Sequence, residues 1–203
     1  MALKAIIFDF GGVLVRTEDR LPRRELAKEL GMSYEEIDQL VFSSLSGKQA
    51  ARGLISAQEH WEEIGKTLDL TPARLKDFRT RFFEGDRLDW ELIEAIREWR
   101  GRYRVALLSN AWDDLRNYLD GTWHIMDDFD QIIISAEVGY TKPDHRIYRL
   151  ALERLNVSAE QTLFVDDFVE NVEAARQVGL LAIHFAEPQR AKEELRALLD
   201  GGH

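Results

Sequence analysis

The sequence contains no cysteine. Disulfide bonds, thiolate metal sites and a cysteine nucleophile are therefore excluded, although this absence leaves the cellular compartment open. Basic residues are also fewer than acidic ones: the chain has 27 Lys and Arg and 37 Asp and Glu, which gives a net charge of -10. Nucleic acids and anionic membranes attract proteins through positive charge, so neither is an expected partner.

Long apolar runs are missing as well. The N-terminal run of residues 5–8 is interrupted by Asp9, and no stretch reaches the length of a membrane span or of the apolar part of a signal peptide. A cytoplasmic protein is the expectation, as a monomer or a homodimer. The chain has 203 residues, 45% of them hydrophobic, which is enough for one substantial core and a smaller appended module.

Short apolar runs rich in β-branched residues alternate with longer stretches in which apolar residues recur every three or four positions. This alternation predicts an α/β fold with a Rossmann-like parallel sheet of about five strands. The five runs are Ala5 to Phe8, Val105 to Leu108, Gln131 to Ile134, Thr162 to Val165, and Leu181 to Phe185.

The segment between the first and second runs carries only helical signals. Ser33 precedes Glu36 and Ser56 precedes Glu59, each at the spacing of a capping box that begins a helix. The pattern predicts an inserted module of roughly four helices. The predicted domains are an α/β core of residues 1–15 and 86–203 and a helical cap of residues 16–85.

Polar residues follow four of the predicted strands. They are Asp9-Phe10-Gly11-Gly12 after the first, Ser109-Asn110 after the second, Lys142 after the third and Asp166-Asp167 after the fourth. Taken singly, such residues are often turn residues, helix caps or solvated charges. Their shared position at strand ends favours function, because active sites of open α/β sheets form beyond the carboxyl ends of the strands.

These residue types suit phosphoryl transfer. The Asp9 carboxylate can attack phosphorus and form an aspartyl-phosphate. Because two anions repel, positive charge from Mg²⁺ and Lys142 is needed beside the phosphate. Asp9, Asp166 and the Gly11 carbonyl are the expected oxygen ligands of Mg²⁺.

The phosphate group itself needs hydrogen-bond donors. The Ser109 hydroxyl can donate to a phosphate oxygen, and the backbone amides around Gly11 and Gly12 can form an anion-binding concavity. The sequence therefore predicts a small-molecule phosphoester as the substrate.

Four motifs carry a resemblance to the haloacid dehalogenase superfamily. They are the residues at 7–13, 108–110, 142–143 and 164–167, the last continuing to Asn171. The resemblance spans the whole chain, and the inserted helices are similar to the small helical cap of one subfamily. It implies that Asp9 is the nucleophile, that Ser109, Asn110 and Lys142 hold the phosphate, and that Asp166 and Asp167 act at magnesium.

One departure from the family pattern concerns Gly11. Phosphatases of this superfamily usually carry a second aspartate there as general acid and base, a role worth about 10²- to 10⁴-fold in rate. Some related sugar-phosphate phosphatases have a similar glycine, and a sugar 1-phosphate would need less help because its anomeric oxygen departs readily. Glu18 or Asp19 could substitute as the acid, or could be solvated linker charges.

Several further residues are candidates for substrate contact. On the cap they are Arg23, Arg24, Lys48, His60 and Trp61, and beside the phosphate site they are Trp112 and Asp113. The alternative for each is a solvated surface or internal packing.

Two other functions remain open. A haloacid dehalogenase uses the same attacking aspartate without a metal, although it usually lacks an acidic pair such as Asp166-Asp167. A catalytically weak regulatory protein is suggested by Gly11. Magnesium-dependent hydrolysis of a generic phosphomonoester separates the three.

Overall fold

Five parallel strands form the central sheet of the computed structural model, which describes residues 2–200. They are β1 (Ala5–Phe8), β4 (Arg104–Ser109), β5 (Gln131–Ile134), β6 (Thr162–Asp166) and β7 (Leu181–His184). Their order in the sheet is β5-β4-β1-β6-β7, and each neighbouring pair is parallel. The predicted α/β fold with five strands is confirmed.

Helices cover both faces of this sheet. They are α6 (Trp90–Trp99), α7 (Leu115–Gly121), α8 (Ser135–Val138), α9 (His145–Leu155), α10 (Val169–Val178) and α11 (Pro188–Asp200). Side chains of β1 alternate between two cores, since Ile6 and Phe8 belong to one apolar cluster and Ala5 and Ile7 to the other. A strand that is apolar on both faces is buried on both faces, which explains its unbroken apolar run.

Residues 21–83, hereafter the helical segment, contain α1 (Leu21–Glu29), α2 (Tyr34–Asp38), a π-helix (Gln39–Ser43), α3 (Leu45–Ala51), α4 (Ala57–Thr67) and α5 (Pro72–Phe83). Both predicted capping boxes are present, at Ser33 and at Ser56. The segment has five α-helices rather than four, because the Ser44 side chain accepts a hydrogen bond from the Gly47 amide and starts a new helix directly after the π-helix. Its apolar side chains form a core of their own.

A small two-stranded sheet joins the two parts of the chain. Strand β2 (Val15–Thr17) pairs antiparallel with β3 (Asp86–Leu88) at the two ends of the helical segment. Arg16 and Lys192 both reach the Asp89 carboxylate, at 2.8 and 3.1 Å, so α11 also anchors this junction. The sequence did not predict these strands, because three residues are too few to show a periodic pattern.

Among residues 2–200, no helix is both long and apolar enough to span a bilayer.

Candidate active site

The polar strand ends meet around β1, the central strand. The chain crosses from β1 to β4 on one side and has β6 on the other, so β1 lies at the switch in strand order where α/β sheets bind ligands. Phe8 is in register with Leu107 and with Val165, and the Asp9 amide donates to the Val165 carbonyl at 2.9 Å. Asp9 and Asp166 are therefore neighbours across two adjacent strands.

Lys142 joins these two carboxylates. Its ammonium nitrogen lies 2.6 Å from Oδ1 of Asp9 and 2.6 Å from Oδ2 of Asp166, and all three side chains are buried. Burial by itself lowers the pKa of Lys142, but the charges of the two carboxylates outweigh it and hold that pKa above its usual range. Lys142 is therefore a fixed positive charge within the site.

The Asp9 carboxyl is held in an unusual electrostatic environment. Burial, together with the nearby charge of Asp166, raises its pKa to about 7 against the opposing charge of Lys142. Its Oδ1 also accepts a hydrogen bond from the Phe10 amide at 2.7 Å. Strongly perturbed carboxyl groups of this kind concentrate at functional sites.

Asp166 is fixed by a network that includes Asn171. Oδ1 of Asp166 accepts hydrogen bonds from the Asn171 side-chain amide at 2.9 Å and from the Phe168 backbone amide at 2.8 Å. Tyr148 in turn donates to the Asn171 carbonyl at 3.0 Å. Asn171 ends the fourth motif, and no role was predicted for it, although an amide in the first turn of the helix after Asp166 was a usable signal.

Asp167 completes an acidic cluster. One carboxylate oxygen each from Asp9, Asp166 and Asp167 lies within 4.8 Å of the others. Burial raises the pKa of Asp167 to about 6, and its Oδ1 is buried without a hydrogen-bond partner among the described residues. A buried acceptor beside two carboxylates fits a divalent cation with oxygen ligands.

The turn after β1 is built on two glycines. Gly12 has a φ of 79°, a conformation that favours glycine, and its amide donates to the Val15 carbonyl at 2.8 Å. The tight turn therefore uses the Gly12 amide in this structure, and the anion-binding concavity expected around Gly11 and Gly12 stays a prediction. Gly11 is exposed, and its missing side chain leaves open space.

Asn110 contacts Lys142, and Ser109 precedes Asn110 in the chain. Ser109 is buried at the carboxyl end of β4. The Asn110 side chain accepts from the Lys142 amide at 2.8 Å and donates to the Lys142 carbonyl at 2.9 Å. Its amide group therefore fixes the backbone of Lys142, which argues against the expected direct contact between this side chain and phosphate.

The family model of haloacid dehalogenase-like hydrolases matches residues 3–179. The chain belongs to this family. The family predicted from the four motifs is thereby confirmed, and the protein is an enzyme of the hydrolase class.

Two curated relatives match this hydrolase over nearly its whole length. A sesquiterpene phosphatase of Aspergillus oryzae is 29% identical over 197 residues, which cover 97% of this chain and 96% of the relative. A D-ribitol-5-phosphate phosphatase of Bacteroides thetaiotaomicron is 25% identical over 207 residues, covering 98% and 99%.

A solved structure shares the fold. It is a family enzyme of Bacteroides thetaiotaomicron in complex with magnesium and inorganic phosphate. The TM-score is 0.76 at 22% identity, with 90% of this chain and 94% of the other covered.

Three of the cap candidates for substrate contact in this hydrolase have buried side chains. Arg23 is buried, with ion pairs to Asp38 at 2.7 Å and to Asp86 at 3.3 Å. His60 and Trp61 are buried in the core of the helical segment, where burial lowers the pKa of His60. Internal packing and pairing, the alternative given for these three side chains, describe their position in this structure.

The remaining linker and cap candidates lie at the surface. Arg24 and Lys48 are exposed. Glu18 is exposed and pairs with Arg16 at 3.6 Å, and the Asp19 carboxylate accepts from the Leu21 amide at 2.9 Å, at the start of α1. The contacts of Glu18 and Asp19 are thus those of charged linker residues, the alternative to a substitute acid.

The loop after Ser109 fastens the helical segment to the core. The Trp112 indole donates to the Gly47 carbonyl at 3.2 Å, and the Asp113 carboxylate accepts from the Ala57 amide at 2.9 Å, at the start of α4. From the strand side, the Ser135 hydroxyl donates to the Ala51 carbonyl at 2.6 Å. The role of Ser135 had no sequence signal, since its partner is a backbone atom far along the chain.

Proposed function

We propose that this hydrolase cleaves phosphomonoesters of small metabolites with Mg²⁺ and an aspartyl-phosphate intermediate on Asp9. The observation that carries the proposal is the cluster of Asp9, Asp166 and Asp167 oxygens within 4.8 Å of one another, with the buried Lys142 ammonium 2.6 Å from Asp9. Three carboxylates and one lysine in one buried site suit phosphoryl transfer better than most other hydrolytic chemistry.

Asp9, Asp166, Asp167 and the Gly11 carbonyl are the residues that would hold the cation. The unpartnered Oδ1 of Asp167 supports this assignment. When bound, Mg²⁺ supplies positive charge that stabilises the anionic transition state of phosphoryl transfer.

Asp9 is the proposed nucleophile. The Phe10 amide and Lys142 both donate to its Oδ1, which orients the carboxylate. These contacts support Oδ2 as the attacking oxygen. The new bond joins Oδ2 to phosphorus while the bond from phosphorus to the alcohol oxygen breaks. Water then attacks the aspartyl-phosphate, which regenerates Asp9 and releases inorganic phosphate.

The neighbouring residues hold the phosphate and its charge. Lys142 neutralises phosphate oxygens, and Ser109 donates its hydroxyl hydrogen to one of them. Asn110 acts as a positioning residue through the backbone of Lys142. Gly11 offers no side chain that could protonate the departing alkoxide, so slow turnover of esters with poor leaving groups is expected.

The names of the relatives support a phosphorylated small molecule as the substrate. One is a phosphatase of a sugar-alcohol phosphate and the other of a sesquiterpene phosphate. The two differ in the polarity of the alcohol, so they leave the organic part of the substrate open.

The test is hydrolysis of p-nitrophenyl phosphate with Mg²⁺ and with EDTA, in the wild type and in Asp9→Asn. We expect turnover only with the cation, and a loss of at least about 10⁴-fold in kcat in Asp9→Asn, because the amide oxygen is a poor nucleophile. Asp120→Asn removes an exposed carboxylate on α7 and serves as the matched control, with thermal unfolding to show that both variants fold.

Two results would count against the proposal. Substantial residual activity in a folded Asp9→Asn variant would show that Asp9 is not the nucleophile. Metal-independent release of halide from a 2-haloacid, without phosphatase activity, would make the protein a dehalogenase.

A further inference from the structure

Three aromatic side chains meet where the helical segment contacts the loop after β4. Trp112 stacks on Phe42 with ring centroids 6.0 Å apart and planes 25° apart. Phe83 meets Phe42 edge-on at 6.2 Å. Phe42 is 46% exposed, and Phe83 and Trp112 are partly exposed. We call these three residues the aromatic wall.

The aromatic wall lies close to the phosphate-binding residues. Trp112 follows Ser109 by three residues, and a chain of three residues spans at most about 11 Å. Phe42 belongs to the π-helix, an element that occurs frequently at functional sites. A group attached to a phosphate beside Ser109 can therefore reach the wall.

Gly47 holds Trp112 and the π-helix that carries Phe42 close together. Its carbonyl accepts the Trp112 indole N–H at 3.2 Å. A methyl group on Gly47 would lie 2.7 Å from the Val41 carbonyl oxygen, so α3 packs against the backbone of the π-helix beside Phe42. The wall is therefore held in place rather than formed by loose surface side chains.

Two polar side chains near the wall, Arg23 and Ser46, already have partners. The Arg23 guanidinium, 6.0 Å from the Phe42 ring, pairs with Asp38 and Asp86. The Ser46 hydroxyl contacts Nδ1 of His60 at 2.8 Å. Nε2 of His60 and Nε1 of Trp61, on rings that contact Trp112, have no hydrogen-bond partner among the described residues, but both side chains are buried. A sugar needs accessible hydrogen-bond partners for its hydroxyl groups, and none of these four side chains offers one at the wall.

We infer that the aromatic wall binds an apolar organic group of the substrate, so that phosphomonoesters of apolar alcohols are preferred over sugar phosphates. The inference rests on the proposed function and narrows it. Covering exposed aromatic surface with apolar carbon is favourable, whereas covering it with hydroxyl groups costs their hydration. A phosphomonoester of an apolar alcohol thus replaces the sugar 1-phosphate as the proposed substrate, which the missing general acid at Gly11 had favoured.

The first experiment measures kcat/KM of the Mg²⁺-loaded enzyme for n-alkyl phosphates of increasing length and for glucose 1-phosphate and ribose 5-phosphate. We expect kcat/KM to rise by up to about fourfold per added methylene until the wall is covered, and to exceed the values for both sugar phosphates. Phe42→Ser should flatten this dependence, whereas Phe42→Leu should keep most of it. Leu198→Ala removes an exposed apolar side chain on α11 and should leave it unchanged.

The second experiment measures binding alone, by calorimetry of n-alkylphosphonates, whose carbon–phosphorus bond is not hydrolysed. Affinity that rises with chain length in the wild type and in Phe42→Leu but not in Phe42→Ser supports the inference. Such binding without hydrolysis of any ester would overturn the proposed function alone. Hydrolysis with no dependence on chain length, or equal binding of all phosphonates, would overturn the role of the wall. Thermal unfolding checks that each variant folds.

Discussion

The Asp167 carboxylate packs directly over the bare Cα of Gly12. A methyl group on Gly12 would overlap Oδ2 of Asp167, and the φ of 79° at this position is unfavourable for other residues. The turn that follows the proposed nucleophile thus depends on glycine for two reasons, and it places a proposed metal ligand at the same time.

Gly12→Ala should therefore weaken both the fold and the metal site. A side chain in the left-handed region costs about 1–2 kcal/mol, and displacement of Asp167 should raise the Kd for Mg²⁺. Gly11→Ala is the matched control, because a methyl group there has no atom within 4 Å. Urea unfolding and a calorimetric Mg²⁺ titration measure the two effects, and equal behaviour of both variants would refute this explanation.

Gly11→Asp should restore the missing general acid and base. The open space beside Gly11 can accept a carboxylate, and we expect kcat for an alkyl phosphate to rise by about tenfold or more. The kcat for p-nitrophenyl phosphate should change little, because p-nitrophenolate departs without a proton. Equal gains for both esters would show that the new carboxylate acts in another way, such as through the metal.

Asn171→Leu should weaken the metal site without removing a ligand. Oδ1 of Asp166 would lose the amide that donates to it at 2.9 Å, and loss of such a supporting contact typically costs about 10- to 100-fold in metal affinity or activity. Asn117→Leu, at an exposed position on α7, is the control. An unchanged Kd for Mg²⁺ in a folded Asn171→Leu variant would show that Asp166 is held well enough by the Phe168 amide.

Stabilisation by Mg²⁺ should depend on pH. Burial raises the pKa of Asp9 to about 7 and of Asp167 to about 6, so in the metal-free protein stability from these groups is present at low pH and is lost as pH rises from about 4 through about 7. Mg²⁺ needs the deprotonated carboxylates and must displace protons below that pH.

The increase in Tm on adding Mg²⁺ should therefore be larger at about pH 8 than at about pH 6. Differential scanning calorimetry with and without the cation measures it. In Asp9→Asn the dependence should shrink, because the group with the highest pKa is gone. An increase in Tm that is equal at both pH values in the wild type would contradict the assignment of these carboxylates to the metal.

The sheet and the position of the chemistry along the chain could be predicted from local patterns of residues. The five apolar runs coincide with β1, β4, β5, β6 and β7. The central strands are apolar throughout because they are buried on both faces, whereas the edge strand β7 is partly exposed. Both capping boxes were predictable, since a cap is a contact between residues three positions apart. Asp9, Ser109 and Asp166 could be assigned to one edge because parallel strands end on the same side.

The contacts of each polar side chain, in contrast, could be read only from the folded chain. Spacing along the chain could not tell that Arg23 and His60 are buried in the helical segment while Arg24 is exposed. It also could not tell that Asn110 binds the backbone of Lys142, or that Phe42 stacks on Trp112. These contacts join residues that are distant in sequence. They form when separate elements pack together, so no local periodicity indicates them.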